Sequence, residues 1–209
     1  MIPLDTLLIF AAASVLLALT PGPNLLYLLS RTMCQGNRAG FVSLGGTMSG
    51  SAVHMLAAAF GLSVLLLAVP LAFETIKLAG AAYLLWMAWS TIRDGGGFEP
   101  KPMDSAPDTT LFRQALLTGV LNPKVAIFYL SLLPQFIDPA RGSVLAQSLI
   151  LGTVQLLVAL PIDSAWIMLA GGISLWFAER PLWLRMQRWA LGGAFGALAA
   201  WLALDTRRT

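Results

Sequence analysis

The sequence predicts an all-α integral membrane protein with six transmembrane helices, and three observations predict this class. Apolar residues make up 57% of the 209 residues and charged residues only 11%, whereas a soluble domain carries roughly a quarter charged residues. The mean hydropathy is +0.77. Six apolar tracts together hold nearly three quarters of the chain, and only Lys124 and Asp163 interrupt them with charge; the tracts are 6–30, 39–73, 78–92, 114–137, 142–178 and 189–204.

Each tract is interpreted as one helix because of its length. A hydrocarbon core of about 30 Å needs about 20 helical residues at roughly 1.5 Å rise each. Four tracts reach that length, and the third and sixth, with 15 and 16 residues, fall short of it. Long charged side chains beside these two, such as Lys77 and Arg188, can extend to the headgroups and complete the crossing.

The tract lengths form an internal repeat, medium, long and short in each half of the chain. A linker rich in Pro, Gly and Asp is predicted at 94–111, between a first repeat at 1–93 and a second at 112–209. Because each repeat has an odd number of spans, the second enters the membrane from the opposite face. The sequence therefore predicts two inverted three-helix repeats, an arrangement typical of secondary transporters.

The distribution of Lys and Arg predicts the orientation, because basic loops stay preferentially in the cytoplasm. The loops after the first, third and fifth helices hold eight basic residues, Arg31 among them, against four on the other face. This places the linker inside and both termini outside. The net charge of +3 follows from this loop bias, and no basic stripe indicates nucleic-acid binding.

The first helix of each repeat contains a proline break. Proline removes a backbone donor, and in lipid such a break is tolerated chiefly where protein or a water-filled cavity surrounds it. The two breaks lie 100 residues apart in corresponding positions, which predicts a binding site where the repeats meet. The predicted substrate-binding residues are Pro21, Gly22, Pro23, Asn24, Asn122, Pro123, Lys124 and Asp163.

The chemistry of these residues suits a small zwitterion. A helix that restarts after a break presents free N–H groups and the positive end of its dipole, which favour a carboxylate. Lys124 stands at least ten residues from either end of its tract, deeper than its stem can span, so a functional charge is the first interpretation. The alternative is that Lys124 pairs with a helix-end carbonyl or with Asp163. For Asn24 the alternative is a helix cap.

Two more titratable groups lie at mid-depth. Asp163 is interpreted as an ammonium contact or a proton-carrying carboxylate, the alternative being a neutral acid hydrogen-bonded across helices. His54, in the second tract, is a proton-coupling candidate, the alternative being a buried neutral imidazole bonded to a carbonyl. Gly46 and Gly50 have the four-residue spacing that lets two helices approach closely, which permits a homodimer without requiring one.

The break motifs resemble those of a known family. The first half reads LTPGPNLLYLL at 19–29 and the second LTGVLNPKVAIFYLSLLPQFIDP at 117–139. With this pairing the chain resembles the LysE-type amino-acid exporters, which include homoserine and threonine efflux proteins, over about residues 5–205. The resemblance implies a multi-pass protein that exports amino acids across the bacterial inner membrane, generally driven by the proton gradient. It marks the residues of both breaks as signature positions.

One lysine and one aspartate at mid-depth favour a neutral amino acid such as threonine, homoserine or leucine over lysine or arginine. We expect no cofactor and no bound metal. An inorganic cation exporter of related architecture is the alternative, although it would need thiolates or several carboxylates. A non-transporting membrane scaffold is a further one. An enzyme is not expected, since the chain has no HExxH, GxSxG or paired-aspartate arrangement.

Overall fold

The computed structural model describes residues 2–68 and 103–170, together with positions 82, 85, 86, 89, 93, 189, 193, 196 and 200. Apart from these single positions, the predicted third and sixth helices and most of the linker therefore lie outside the described residues. Every regular element in the described part is helical. The α-helices are α1 (Leu4–Leu19), α2 (Pro23–Gln35), α3 (Asn37–Ala68), α4 (Asp108–Val120), α5 (Pro123–Ile127) and α6 (Val144–Ala170).

The first and fourth predicted tracts each form two helices joined at a break. The axis bends by 50° between α1 and α2, and by 45° between α4 and the segment Pro123–Phe136. Each bent pair, taken as one span, is long and apolar enough to cross a bilayer, as α6 is by itself. Beyond α5 the chain continues through a π-helical turn, Phe128–Leu132, and a 3₁₀ turn, Leu133–Phe136.

Two boundaries differ from the sequence prediction. The helix predicted to end at Ser30 continues to Gln35, so that Arg31, which was counted as a loop residue, is helical and buried. The helix α4 begins at Asp108, inside the stretch predicted as linker. An acidic residue in the first turn is favourable there because it faces the positive end of the helix dipole.

The described helices have an apolar exterior and a partly polar interior. Large apolar side chains such as Leu8, Leu117, Leu157 and Met168 are more than half exposed. The buried polar residues are Ser14, Thr20, Ser30, Arg31, Thr32, Ser43, Thr47, Ser51, Asn122, Gln147, Ser148, Gln155 and Asp163. This distribution is the one expected of a membrane protein, in which lipid contacts the apolar surface and polar groups face one another.

Glycine contacts define the direction of α3 relative to α4. A Cβ atom at Gly46 would lie 2.6 Å from the Cβ of Ala115, and one at Gly50 would lie 2.7 Å from the backbone of Gly119. The contacts advance along both helices together, so α3 and α4 run parallel. The spacing of Gly46 and Gly50 serves close helix packing, as the sequence predicts.

Glycine contacts also show that α3 and α6 run antiparallel. Gly40 in the first third of α3 faces Ile167, near the end of α6, and Gly152, near the beginning of α6, faces Met55. This register places Asp163 level with Leu44, and Leu44 packs with Ile167 and with Leu28 of α2.

The two bent spans run antiparallel and cross at their breaks. Near the beginning of the first span, Phe10 packs on Phe128 and Phe136 near the end of the fourth, with ring centroids 5.6 and 5.1 Å apart. Towards the other end, the Tyr27 hydroxyl lies 3.2 Å from the side-chain oxygen of Gln114 in α4. The two breaks lie between these contacts.

We expect Gly50→Ala to lower the thermal unfolding midpoint, because its methyl group would collide with the backbone of Gly119. Overpacking of this kind costs about 1–3 kcal/mol. Gly61→Ala, in the same helix, is the matched control, since a Cβ there meets no atom of the described residues within 4 Å and alanine favours the helix. Tryptophan fluorescence during heating in detergent measures both midpoints. Equal midpoints for the two variants would contradict the close packing of α3 on α4.

Candidate functional site

The first break follows directly from its prolines. Pro21 and Pro23 have no N–H group, so the carbonyls four residues earlier lose their helical donors. Residue Thr20 ends α1, with its N–H group bonded to the Leu16 carbonyl at 3.1 Å. Gly22 is the N-cap of α2, and its carbonyl accepts the first bond of the new helix, from Leu26 at 3.0 Å. The Thr20 carbonyl is left without a partner in its own span.

The second break is capped by a side chain. Asn122 precedes α5 and accepts a hydrogen bond from the Lys124 backbone N–H at 3.0 Å, through its side-chain oxygen. Its own N–H donates to the Gly119 carbonyl at 3.2 Å, to which Pro123, lacking an N–H group, cannot make the usual helical bond. Asn122 is buried. Asparagine is among the preferred N-cap residues, and burial makes the satisfied cap more important.

The Lys124 side chain joins the two breaks. Its ammonium group donates a hydrogen bond to the Thr20 carbonyl, and its stem lies on Gly22, where an added Cβ would be 3.0 Å from Cδ. A cation at the C-terminal end of α1 also faces the negative end of that helix dipole. In this conformation Lys124 therefore binds a helix-end carbonyl, which is the contact that the alternative interpretation of this residue predicts. Its role in binding substrate stays a prediction.

Asp163 reaches the same region from α6. One turn farther along α6, Trp166 packs in a cluster with Leu25 of α2, so Asp163 lies near the level at which α2 begins. Its carboxyl group is buried, interacts electrostatically with Lys124, and forms no hydrogen bond with any described residue. A bond across helices, the alternative interpretation of this residue, is therefore not seen in the described part of the chain.

Two predicted residues have buried polar atoms without a partner. The side-chain oxygen of Asn24 and Nε2 of His54 are fully buried and form no hydrogen bond with the residues described. Asn24 is the second residue of α2, as Lys124 is of α5, and Gly22 occupies the cap position, so the cap interpretation of Asn24 does not fit. Its free oxygen can accept a hydrogen bond from a ligand.

The structure brings some of the predicted residues together and leaves others apart. Gly22, Lys124, Asn122 and Asp163 surround the meeting point of the breaks, with Pro21, Pro23, Asn24 and Pro123 in the adjoining turns. His54 lies ten residues beyond the level of Asp163 on α3, about 15 Å along the axis. It has no described contact with either charge.

Electrostatically, the arrangement offers one cation, one carboxyl group and two helix N-termini within a buried region. These groups match the two charges of an amino acid. Within the described ranges, no group of three or more His, Cys, Asp or Glu side chains is arranged to hold a metal ion.

Sequence reasoning missed a second polar cluster, around Arg31. Arg31 is 5% exposed and bonds to Tyr27 and Gln35 of its own helix and to Gln114 of α4. Tyr27, Arg31 and Gln35 are spaced four residues apart, so they share one face of a helix. That spacing was the available signal, but the interpretation of Arg31 as a loop residue concealed it.

Comparisons with known proteins agree with the resemblance. The chain matches a family model described as LysE type translocator over residues 15–206. It is 31% identical over 195 residues to a homoserine/homoserine lactone efflux protein of Salmonella typhimurium, covering 93% of this chain and 94% of that one. It is 29% identical over 203 residues to a leucine efflux protein of Enterobacter sp., covering 93% of each. No solved structure matches it significantly.

We expect Asn122→Ala to destabilise the protein by about 1 kcal/mol, because the Lys124 N–H at the start of α5 loses its cap. Asn122→Ser supplies another capping oxygen and should recover most of the loss. Thermal unfolding in detergent compares the two variants with the unsubstituted protein. A serine variant as unstable as the alanine variant would argue against the cap.

Proposed function

Because this chain belongs to the LysE type translocator family, we propose that it is a secondary transporter that exports neutral amino acids across the bacterial inner membrane in exchange for protons. Relatives named for efflux of homoserine and of leucine, each aligned over 93% of the chain, support amino-acid export. The observation that carries the proposal is the meeting of the two breaks at Lys124.

The substrate's carboxylate binds at Lys124. In the conformation described, the ammonium group is held by the Thr20 carbonyl, which is a neutral acceptor. A carboxylate is a stronger acceptor for an ammonium donor, and the N-terminal end of α2 lies beside it, with Gly22 against the lysine stem. The carboxylate therefore displaces the carbonyl and gains support from the helix dipole.

The substrate's ammonium group binds at Asp163, which is buried and without a described hydrogen bond. A free carboxylate at this depth is costly, so an empty site favours a proton on Asp163, and the substrate's ammonium group replaces that proton. Exchange of one for the other at a single carboxyl group couples export to proton uptake. The unpaired Asn24 oxygen accepts a further ammonium hydrogen.

The spans are organised as two inverted repeats of three helices each. Two features support this topology: the first and fourth spans are antiparallel and bent at corresponding prolines, and α3 and α4 are parallel. A parallel course of α3 and α4 requires the chain to cross back an odd number of times between them. The third predicted helix, at 78–92, supplies one crossing.

The balance of charge at the site favours substrates with an uncharged side chain. One carboxyl group faces one ammonium group, so a second positive charge on the substrate would have no partner among the described residues of the site. We therefore propose amino acids such as homoserine, threonine or leucine as substrates. Counterflow of each labelled amino acid in proteoliposomes with an imposed pH gradient tests this function directly. Flux that is neither saturable nor gradient-dependent would reject it.

Lys124→Ala should abolish counterflow, because the carboxylate loses its cation while the protein still inserts and remains monodisperse in detergent. Arg38→Ala is the matched control, since Arg38 forms an exposed ion pair with Asp108, and exposed pairs contribute little. We expect this control to retain transport. Normal counterflow by the Lys124 variant would remove the lysine from the mechanism.

Asp163→Asn should raise the KM of the substrate at least tenfold and make the residual flux independent of the pH gradient. The amide keeps the shape of the side chain but neither carries the proton nor attracts the substrate's ammonium group. A tenfold loss of affinity corresponds to about 1.4 kcal/mol of binding free energy. Flux at several imposed gradients measures both effects. A variant whose flux still follows the gradient would show that the coupled proton is carried elsewhere.

A further inference from the structure

Arg31 carries a buried positive charge outside the site described above. Its guanidinium group donates to the side-chain oxygens of Tyr27, Gln35 and Gln114 at 3.3, 3.1 and 2.6 Å, and to the Asp104 carbonyl at 2.7 Å. All four acceptors are neutral oxygens. The charge is satisfied by hydrogen bonds but is not balanced by a carboxylate from the part of the chain that the structure describes.

A buried guanidinium without a counter-ion favours an incoming carboxylate. Guanidinium and carboxylate groups match in shape and form two parallel, charge-assisted hydrogen bonds, which are stronger than bonds to neutral oxygens. Burial increases this preference because the surroundings screen the charge poorly. A ligand's carboxylate oxygens can replace the present acceptors of Arg31 by exchanging hydrogen bonds alone, with no change in covalent structure.

The acceptors on Arg31 also hold the end of the linker. Arg31 donates a hydrogen bond to the Asp104 carbonyl. The Gln35 side chain bonds to the backbone carbonyl and the backbone N–H of Ala106, at 3.0 and 3.2 Å. The Met103 N–H donates to the Cys34 sulfur at 3.4 Å. Residues 103–106 therefore lie on the end of α2 through contacts that centre on Arg31 and Gln35. A ligand that replaced these oxygens would remove the contacts that hold residues 103–106 on α2.

We propose that Arg31 is a second carboxylate site for the amino-acid substrate, on the linker side of the protein, and that its occupation releases residues 103–106 from α2. This rests on the proposed function in that the substrate carries a carboxylate. Arg31 lies seven residues after Asn24 on the same helix, about 10 Å along its axis. The carboxylate binds first at Arg31 and passes along α2 to the breaks, where Lys124 receives it.

Cys34 provides a built-in probe of this release. It is the only cysteine of the chain, it is exposed, and Met103 lies on its sulfur. In purified protein, we expect L-homoserine and L-leucine to increase the rate of maleimide labelling of Cys34 at least threefold. Leucinol and leucinamide, which lack the carboxylate, should leave the rate unchanged. Equal rates with leucine and leucinol would overturn the proposal.

Gln114→Glu tests the site with minimal disturbance. The Gln114 oxygen accepts bonds from both Arg31 and Tyr27, and a glutamate oxygen can accept the same two bonds while giving Arg31 a permanent counter-ion. We expect the KM for substrate added on the linker side to rise at least fivefold, and the effect of leucine on Cys34 labelling to disappear. Thr109→Glu is the matched control, because it adds the same charge at an exposed position of α4.

The outcomes separate this proposal from the proposed function. If Gln114→Glu keeps both the KM and the labelling response of the unsubstituted protein, the Arg31 site is wrong, while saturable counterflow in the same vesicles still supports export. If the unsubstituted protein shows no saturable counterflow but carboxylates accelerate Cys34 labelling, export is wrong and the Arg31 site stands. Arg31→Gln should also lose the labelling response. If the Arg31→Gln protein does not fold, Gln114→Glu provides the test.

Discussion

The contact between the Lys124 ammonium group and the Thr20 carbonyl is the one on which the centre of the structure depends. Two prolines free backbone carbonyls in the first span, and a lipid environment supplies no water to satisfy them. The lysine of the other half reaches across and donates to the Thr20 carbonyl, which the break leaves without a helical partner. The same side chain covers Gly22, so the break, the cation and the crossing of the two spans form a single arrangement.

This contact also explains how a structural role and a functional role can belong to one residue. A carbonyl oxygen is a good enough partner to hold a cation in place but a poorer one than a carboxylate. Asp163, which approaches from α6 and forms no described hydrogen bond, lies within electrostatic reach of the same ammonium group. In the transport that we propose, the Lys124 ammonium group binds the Thr20 carbonyl in the empty protein and exchanges it for the substrate's carboxylate, a stronger acceptor.

Sequence reasoning could predict the helical class, the membrane environment and the two breaks, because apolar length and proline act locally. It also singled out Lys124 and Asp163, since charge at mid-depth is conspicuous in an apolar tract. It misjudged Arg31, because that charged residue was taken to mark the end of the first helix. Whether such a residue ends a helix or is buried depends on partners far away in the chain, here Gln114 and Asp104, which a local pattern does not contain.

The glycine contacts between α3 and α4 have a consequence for motion. Gly46 and Gly50 bring two backbones from different halves into direct contact, with Gly119 on the opposing side, and such surfaces resist sliding because backbone atoms cannot change rotamer. Conformational change is therefore easier at the two bends than across this seam. The α3–α4 pair is therefore the part that stays fixed, and the two proline breaks are the places where a helix axis can change direction beside it.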